Sequence, residues 1–156
     1  MSRIQNFRIE GAEILRGQFR NFAGAPDKYN KDGGKRYFNV IVDDEMAQDL
    51  AEDGWGVKIL EPREDGDVAR HYLKVNVKCN DRTEINRITR GRKMRLNEDT
   101  LEMLDTDRIE FADMTVRAYE YEPGKISAWL DALNAYVATS NLGVREDWGV
   151  EERPFD

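Results

Sequence analysis

The stretch from Tyr72 to Cys79 alternates so strictly that it reads as a half-buried strand. Leu73, Val75, Val77 and Cys79 fall on one face, and Tyr72, Lys74, Asn76 and Lys78 on the other. One face packs, and the other offers an aromatic, an amide and two ammonium groups. The strand opens a block, Arg70 to Arg95, that holds nine Lys/Arg against two acids, Asp81 and Glu84, in a chain of formal charge -7. Phosphates pair with Lys and Arg, and every base has a π-face, so cations interleaved with an aromatic on a rigid sheet suit a polyanion with stackable bases. The outer face of any strand also carries lysines and an occasional tyrosine, so this block does not decide the matter alone.

The charge is segregated along the chain. Residues 1–40 sum to about +4, 41–69 to about -8, 70–95 to about +7, 96–139 to about -7 and 140–156 to about -3. An acidic total therefore does not exclude an anionic ligand, because the field at a site depends on where the charges sit. At 156 residues the chain is most simply one domain. Its single cysteine, Cys79, excludes an internal disulfide and fits a reducing compartment, and its place on the apolar face makes it a core residue. The opening Met-Ser-Arg-Ile-Gln-Asn lacks the apolar run of a secretory signal, and no stretch is long enough to cross a bilayer. A soluble, intracellular protein with no membrane partner is expected.

Phe7, Ile9, Ile14, Leu15, Phe19 and Phe22 are the apolar residues of the opening segment, and their phase shifts near Gly11 and Ala12, as at a bulge in a long bent strand. Gly24 to Lys35 reads as a basic loop containing Lys28, Tyr29, Lys31 and Lys35. Arg36 to Val42 alternates as a strand, and Asp43-Asp44 then offers an N-cap for a helix of about ten residues stopped by Gly54. Val57 to Leu60 is another strand. Between Cys79 and Arg95 the pattern breaks up and suggests loop and short strand; a short helix capped by Asn97 follows. Arg108 to Tyr121 is the longest strand candidate, with Met114, Val116 and Ala118 inward, Arg117, Tyr119 and Tyr121 on the other face, and a bulge at Ala112 and Asp113. Ile126 to Thr139 is ambiguous. Ile126, Trp129, Leu130, Leu133 and Val137 sit at helical spacing, yet Trp129, Leu133, Ala135 and Val137 also fit one strand face, and the pattern alone leans to helix. Long bent strands joined by short connections suggest a small mixed β barrel, folded as a domain over residues 1–140, with a flexible acidic tail over 141–156.

Little in the chain suggests catalysis, and no cofactor is implied. His71 is the only histidine and has no evident orienting partner, and zinc spacing, a nucleophile elbow and a Walker loop are all missing. The least implausible enzyme signal is a set of carboxylates, Asp43, Asp44 and Glu45 with Asp65 and Asp67, that could hold Mg²⁺ in a nuclease; helix capping and solvated turns explain the same residues. A third alternative is an interaction module whose basic block docks an acidic protein. The binding reading gathers more residues. Arg16, Arg20, Phe22, Tyr29, Lys35, Tyr37, Tyr72, Lys74, Lys78, Arg117 and Tyr119 would line one basic, aromatic groove if the long strands are neighbours. Nothing resembles a recognition helix, so a single strand is the better ligand than duplex. In the tail, Glu151, Glu152, Phe155 and Asp156 combine carboxylates with an aromatic anchor. Such a tail can occupy a basic groove when it is empty and recruit a partner when displaced.

In order along the chain, the Phe-x-Ile-x-Gly-Ala run at 7–12, Arg36-Tyr37-Phe38-Asn39-Val40, Gly54-Trp55-Gly56-Val57-Lys58 and Tyr72-Leu73-Lys74-Val75 resemble the single-stranded DNA-binding proteins of bacteriophages. So do the Leu96 to Asp105 segment and the Ala128 to Thr139 run ending Tyr136-Val137-Ala138-Thr139. The resemblance covers roughly residues 5–140 and rests on the order of individually weak motifs. It implies a mainly β, OB-fold-like antiparallel barrel with short helices, in which Ile126 to Thr139 is the closing strand. It also implies a non-enzymatic, sequence-tolerant protein that protects single strands in DNA replication or recombination. Its place would be the cytoplasm of an infected bacterial host, with replication or recombination proteins as partners through the tail.

Overall fold

A computed structural model describes residues 6–26, 31–62, 66 and 68–138. In chain order its elements begin with β1 (Phe7–Ala12), a 3-10 turn (Gly17–Phe19), β2 (Arg20–Asn21), β3 (Arg36–Val42), α1 (Asp44–Asp53) and β4 (Val57–Leu60). They continue with β5 (Arg70–Val77), β6 (Glu84–Thr89), β7 (Arg92–Arg95), α2 (Met103–Thr106), β8 (Ile109–Glu122) and β9 (Lys125–Val137). The chain is mainly β with few short helices, in keeping with the OB-like fold expected from the sequence.

All strands belong to one sheet, whose main path runs β1-β8-β9-β5-β3-β2, with β4 beside the first half of β5 and the β6–β7 hairpin beside the second half of β9. Two details differ from an all-antiparallel barrel. The strands proper do not close, and β9 runs parallel to both β5 and β6. Parallel pairing needs a long crossover, and the hairpin, α2 and β8 supply it. The ends of the sheet still approach each other. Just after β1 the chain bridges to β3 at Ile14–Val40, where Leu15 N–H donates to Asn39 O and Ile41 N–H to Glu13 O, both at 2.9 Å.

The bend that makes this possible is the bulge expected near Gly11. Register slips between Ile9 and Ala12, Gly11 sits at φ +65°, and its N–H donates to Asp113 Oδ1 at 2.8 Å. β8 has no bulge at Ala112–Asp113; its nearest extra residue is Glu110, and opposite its central run the extra residues lie in β1 and β9. Ala112, Met114 and Val116 alternate into the core without a break, whereas Thr115 pairs with Ala132 and Val116 with Leu130, leaving Asp131 as the extra residue. That insertion explains the ambiguity of the last segment. Two strand runs, Ile126-Ala128-Leu130 and Leu133-Ala135-Val137, bury their alternate residues, and the slip between them makes Ile126, Leu130, Leu133 and Val137 mimic helical spacing. The segment is a strand, and the slip sends Trp129 to the face opposite the core. The loop and short strand expected between Cys79 and Arg95 are a loop followed by the β6–β7 hairpin, and Cys79 itself is half-buried against the core edge.

Helix α1 starts where Asp43 accepts from Met46 N–H at 2.7 Å and ends at Gly54, φ +101°. The glycine is required twice: by its left-handed backbone, and because a Cβ there would lie 2.1 Å from Gly124 O. Ile126 N–H donates to Gly54 O at 2.9 Å, so this contact docks the end of α1 onto the β8–β9 turn. The Gly54→Ala variant is expected to lose about 2 to 4 kcal/mol of stability, from left-handed strain plus the steric shift, measured by urea unfolding.

Candidate nucleic-acid interface

Paired residues of neighbouring strands point to the same side of a sheet, so the registers of β3, β5, β9 and β8 define the surface opposite the core. Tyr37 pairs with Asn76, Asn76 with Trp129, and Trp129 with Arg117, forming a single row across four strands. Alongside it, Asn39 pairs with Lys74 and Ser127 with Tyr119; one step further, Ile41 pairs with Tyr72, and Tyr72 with Lys58. The 3-10 turn lies against this surface. Phe19 meets Tyr72 edge-on at 5.5 Å between centroids, Asn39 Nδ2 donates to Phe19 O at 2.7 Å, and Tyr37 Oη donates to Gln18 O at 3.4 Å.

Several of these side chains are fixed from within the sheet. Lys74 Nζ sits 4.7 Å from the Tyr37 ring centroid, Asn76 Nδ2 donates to Ala128 O at 3.1 Å, and Trp129 Nε1 donates to Ser127 Oγ at 3.1 Å. Tyr37, Tyr72 and Trp129 are half-buried, while Lys74, Arg117 and Tyr119 are exposed, Tyr119 at 59 %. The surface therefore carries ring faces with ammonium and guanidinium groups between them.

Of the residues singled out from the sequence, Tyr37, Tyr72, Lys74, Arg117 and Tyr119 come together here. Lys35 and Lys78 are exposed and flank the Arg36–Val77 pair, so they mark the same end of the β3–β5 ladder. Arg16 is exposed at the N-cap of the 3-10 turn. Arg20 and Phe22 do not belong to the interface and are corrected. Phe22 is fully buried and stacks on Phe38 at 5.2 Å. Arg20 is inside, donating to Leu15 O (3.0 Å), Ile14 O (3.2 Å), Leu104 O (2.8 Å) and Asp107 O (2.9 Å). Burial lowers its pKa, against the opposing pull of Asp105 and Asp107. Tyr29, the tail residues Glu151, Glu152, Phe155 and Asp156, and the boundary at 140/141 lie outside the described residues. The sequence reading missed Trp129 and Lys58. Allowing for one extra residue in β9 would have revealed Trp129, because the alternation on either side of Asp131 is regular.

Two of the carboxylates considered for metal, Asp43 and Asp44, have structural partners. Asp43 caps α1, and Asp44 Oδ1 lies 3.2 Å from His71 Nδ1 in an exposed pair. That contact gives His71 the partner its sequence did not reveal. Asp65 and Asp67 lie outside the described residues. Among the described residues, no group of three or more His, Cys, Asp or Glu is placed to hold a metal ion, and no helix is long and apolar enough to cross a membrane.

Cations and aromatic rings on the outer face of an OB-like sheet are groups that can pair with phosphates and stack on bases. A family model described as "Putative phage ssDNA-binding domain" matches residues 1–153, and the chain belongs to that family. No curated protein and no solved structure gives a significant match.

Arg20 separates structure from binding. Arg20→Gln is expected to lose about 2 to 4 kcal/mol in urea unfolding, because it strips buried carbonyls of a charged donor. The folded fraction should keep its affinity for single-stranded DNA within about twofold; a stability loss near zero would place the guanidinium elsewhere.

Proposed function

We propose that the protein binds single-stranded DNA without sequence preference on the outer face of β3, β5, β9 and β8, and so protects single strands during phage replication or recombination. The observation that carries this reading is the in-register row Tyr37, Asn76, Trp129 and Arg117, with Lys74 over Tyr37 beside it. Bases stack on the rings while Lys74, Arg117, Lys35 and Lys78 neutralise phosphates. Each stacked base is worth about 1 to 3 kcal/mol, and each neutralised phosphate adds about 0.7 to the salt slope. The role is non-catalytic and needs no cofactor.

Titration of a labelled dT oligonucleotide across a salt series tests the reading. Tight binding to the single strand, much weaker binding to duplex and a steep salt dependence are expected. Trp129→Ala, Tyr37→Ala and Tyr72→Ala should each weaken binding by about 5- to 140-fold. Lys74→Ala should flatten the salt slope by about 0.7. Equal affinity for duplex, or aromatic variants that bind like wild type, would overturn it.

The tail, with Glu151, Glu152, Phe155 and Asp156, competes with DNA for this face and recruits replication or recombination proteins when released. Its acid content and aromatic support this reading. Removing residues 141–156 should raise the affinity for dT at low salt, with the gain vanishing as salt screens the competing carboxylates. A gain that persists at high salt would contradict electrostatic competition.

A further inference from the structure

We propose that the same face carries a second base-stacking station, the Phe111–Tyr136 pair walled by the β6–β7 hairpin, so that one DNA strand is held at two places along β8 and β9. The inference rests on the single-strand reading above and extends it to how much strand the protein engages.

Phe111 and Tyr136 are cross-strand partners whose rings stack at 4.4 Å with an interplanar angle of 15°, and Phe111 remains 40 % exposed. They share the face of Trp129. Past the extra residue Asp131, it is Leu133, Ala135 and Val137 that are buried, leaving Asn134 and Tyr136 on the other side. Six strand steps at ~3.3 Å put the two stations about 20 Å apart, roughly six stacked nucleotides.

The row through this pair continues from Tyr136 to Ile88 and from Ile88 to Lys93. The hairpin is closed between Thr89 and Arg92 by Arg90-Gly91, with φ +53° and +74°, as in a tight primed turn. All four residues of β7 are exposed. Lys93, in this row, and Arg90, at the turn beside it, thus rim the aromatic pair with positive charge, while Arg92, paired with Thr89, falls on the other face; Arg90 occupies a left-handed position that Asn or Gly would take at lower energy. Arg87 is not part of this wall, because Asp107 holds it at 2.6 and 3.0 Å and raises its pKa.

The ground between the stations is acidic but engaged. Asp113 accepts from Gly11 N–H, and Glu84 accepts from Asn86 Nδ2 at 2.7 Å, close enough to Lys93 and Arg95 to feel both charges. Asp131, the extra residue of β9, adds an exposed carboxylate there. Flat rings rimmed by cations select a ligand that is itself flat, apolar and anionic by turns, which is the chemistry of a nucleotide chain.

Two oligonucleotide lengths test the proposal: dT of about five nucleotides, which the Trp129 end alone can hold, and dT of about twelve, which reaches both stations. Phe111→Ala with Tyr136→Ala is expected to weaken the longer oligonucleotide by about 5- to 140-fold and the shorter by less than about twofold, whereas Trp129→Ala weakens both. Arg90→Gly guards against a folding artefact. It relieves the left-handed strain, so thermal stability should hold or rise, while the salt slope for the longer oligonucleotide should fall by about 0.7. Unchanged affinity and slope for the longer oligonucleotide in these variants, with Trp129→Ala still impaired, would overturn the second station and leave the single-strand reading intact. Failure of the wild type to bind either length would instead remove the single-strand reading, and the second station with it.

Discussion

The buried guanidinium of Arg20 is the contact on which the arrangement of the sheet depends. It gathers the carbonyls of Ile14 and Leu15, which follow β1, and those of Leu104 and Asp107, at α2. Asp105 completes the corner by accepting from Phe22 and Ala23 N–H at 2.7 and 2.9 Å, and Asp107 extends it to Arg87 on β6. A buried charge is tolerated only when its hydrogen-bonding capacity is filled, and backbone carbonyls fill it here. The consequence reaches the outer face. The 3-10 turn lies between Leu15 and Arg20, so holding both ends of that short segment holds Phe19 against Tyr72 and Gln18 O against the Tyr37 hydroxyl. Tyr37 and Tyr72 themselves stand on β3 and β5, so the strand ladder sets where these rings point, and Arg20 sets only the turn that packs beside them.

Charge segregation along the chain becomes segregation in space. The acids of the -8 block include Asp43, Glu45, Asp49 and Asp53, which surround a groove of about 470 Å³ with Phe7 and Trp55. The cations of the +7 block point elsewhere: Lys74 onto the outer face, and Arg92 and Lys93 along the hairpin. A net charge of -7 is therefore compatible with a locally positive surface. The acids around the α1 groove repel a polyanion on that side, which supports the outer face as the site proposed above.

How much of this could be read from the sequence depended on whether one face of each element was buried. β3 and β5 have one face in the core, and which residues face inward was legible in both, although β5 begins and ends two residues earlier than the alternation suggested; the Asp43 cap, the Gly54 stop and the Gly11 bulge were legible too. β9 was not, because a single inserted residue turned a two-residue period into an apparent helical one and hid Trp129 among core positions. β7 left no trace, since all four of its residues are exposed and alternation needs a buried side. Arg20 and Phe22 misled for a related reason. β2 is two residues long and wholly buried, too short to show a period, and an arginine satisfied by distant carbonyls carries no local mark of burial. The aromatic and basic character of the interface was visible; its outline required the register.

The chemistry of the outer face also bears on sequence tolerance. Reading a base edge takes side chains with directed donors and acceptors, of which amides are the usual example. The two amides in the central rows are already committed: Asn39 donates to Phe19 O, and Asn76 to Ala128 O. Neither amide is therefore spare for reading a base edge, and stacking rings and phosphate-neutralising cations tolerate any base, which supports the sequence-tolerant binding proposed above. The same internal bonds fix this face independently of any ligand, and preorganisation of this kind lowers the cost of binding. The polar side chains of the face thus serve to hold the face itself together, which favours the sequence-tolerant reading proposed above.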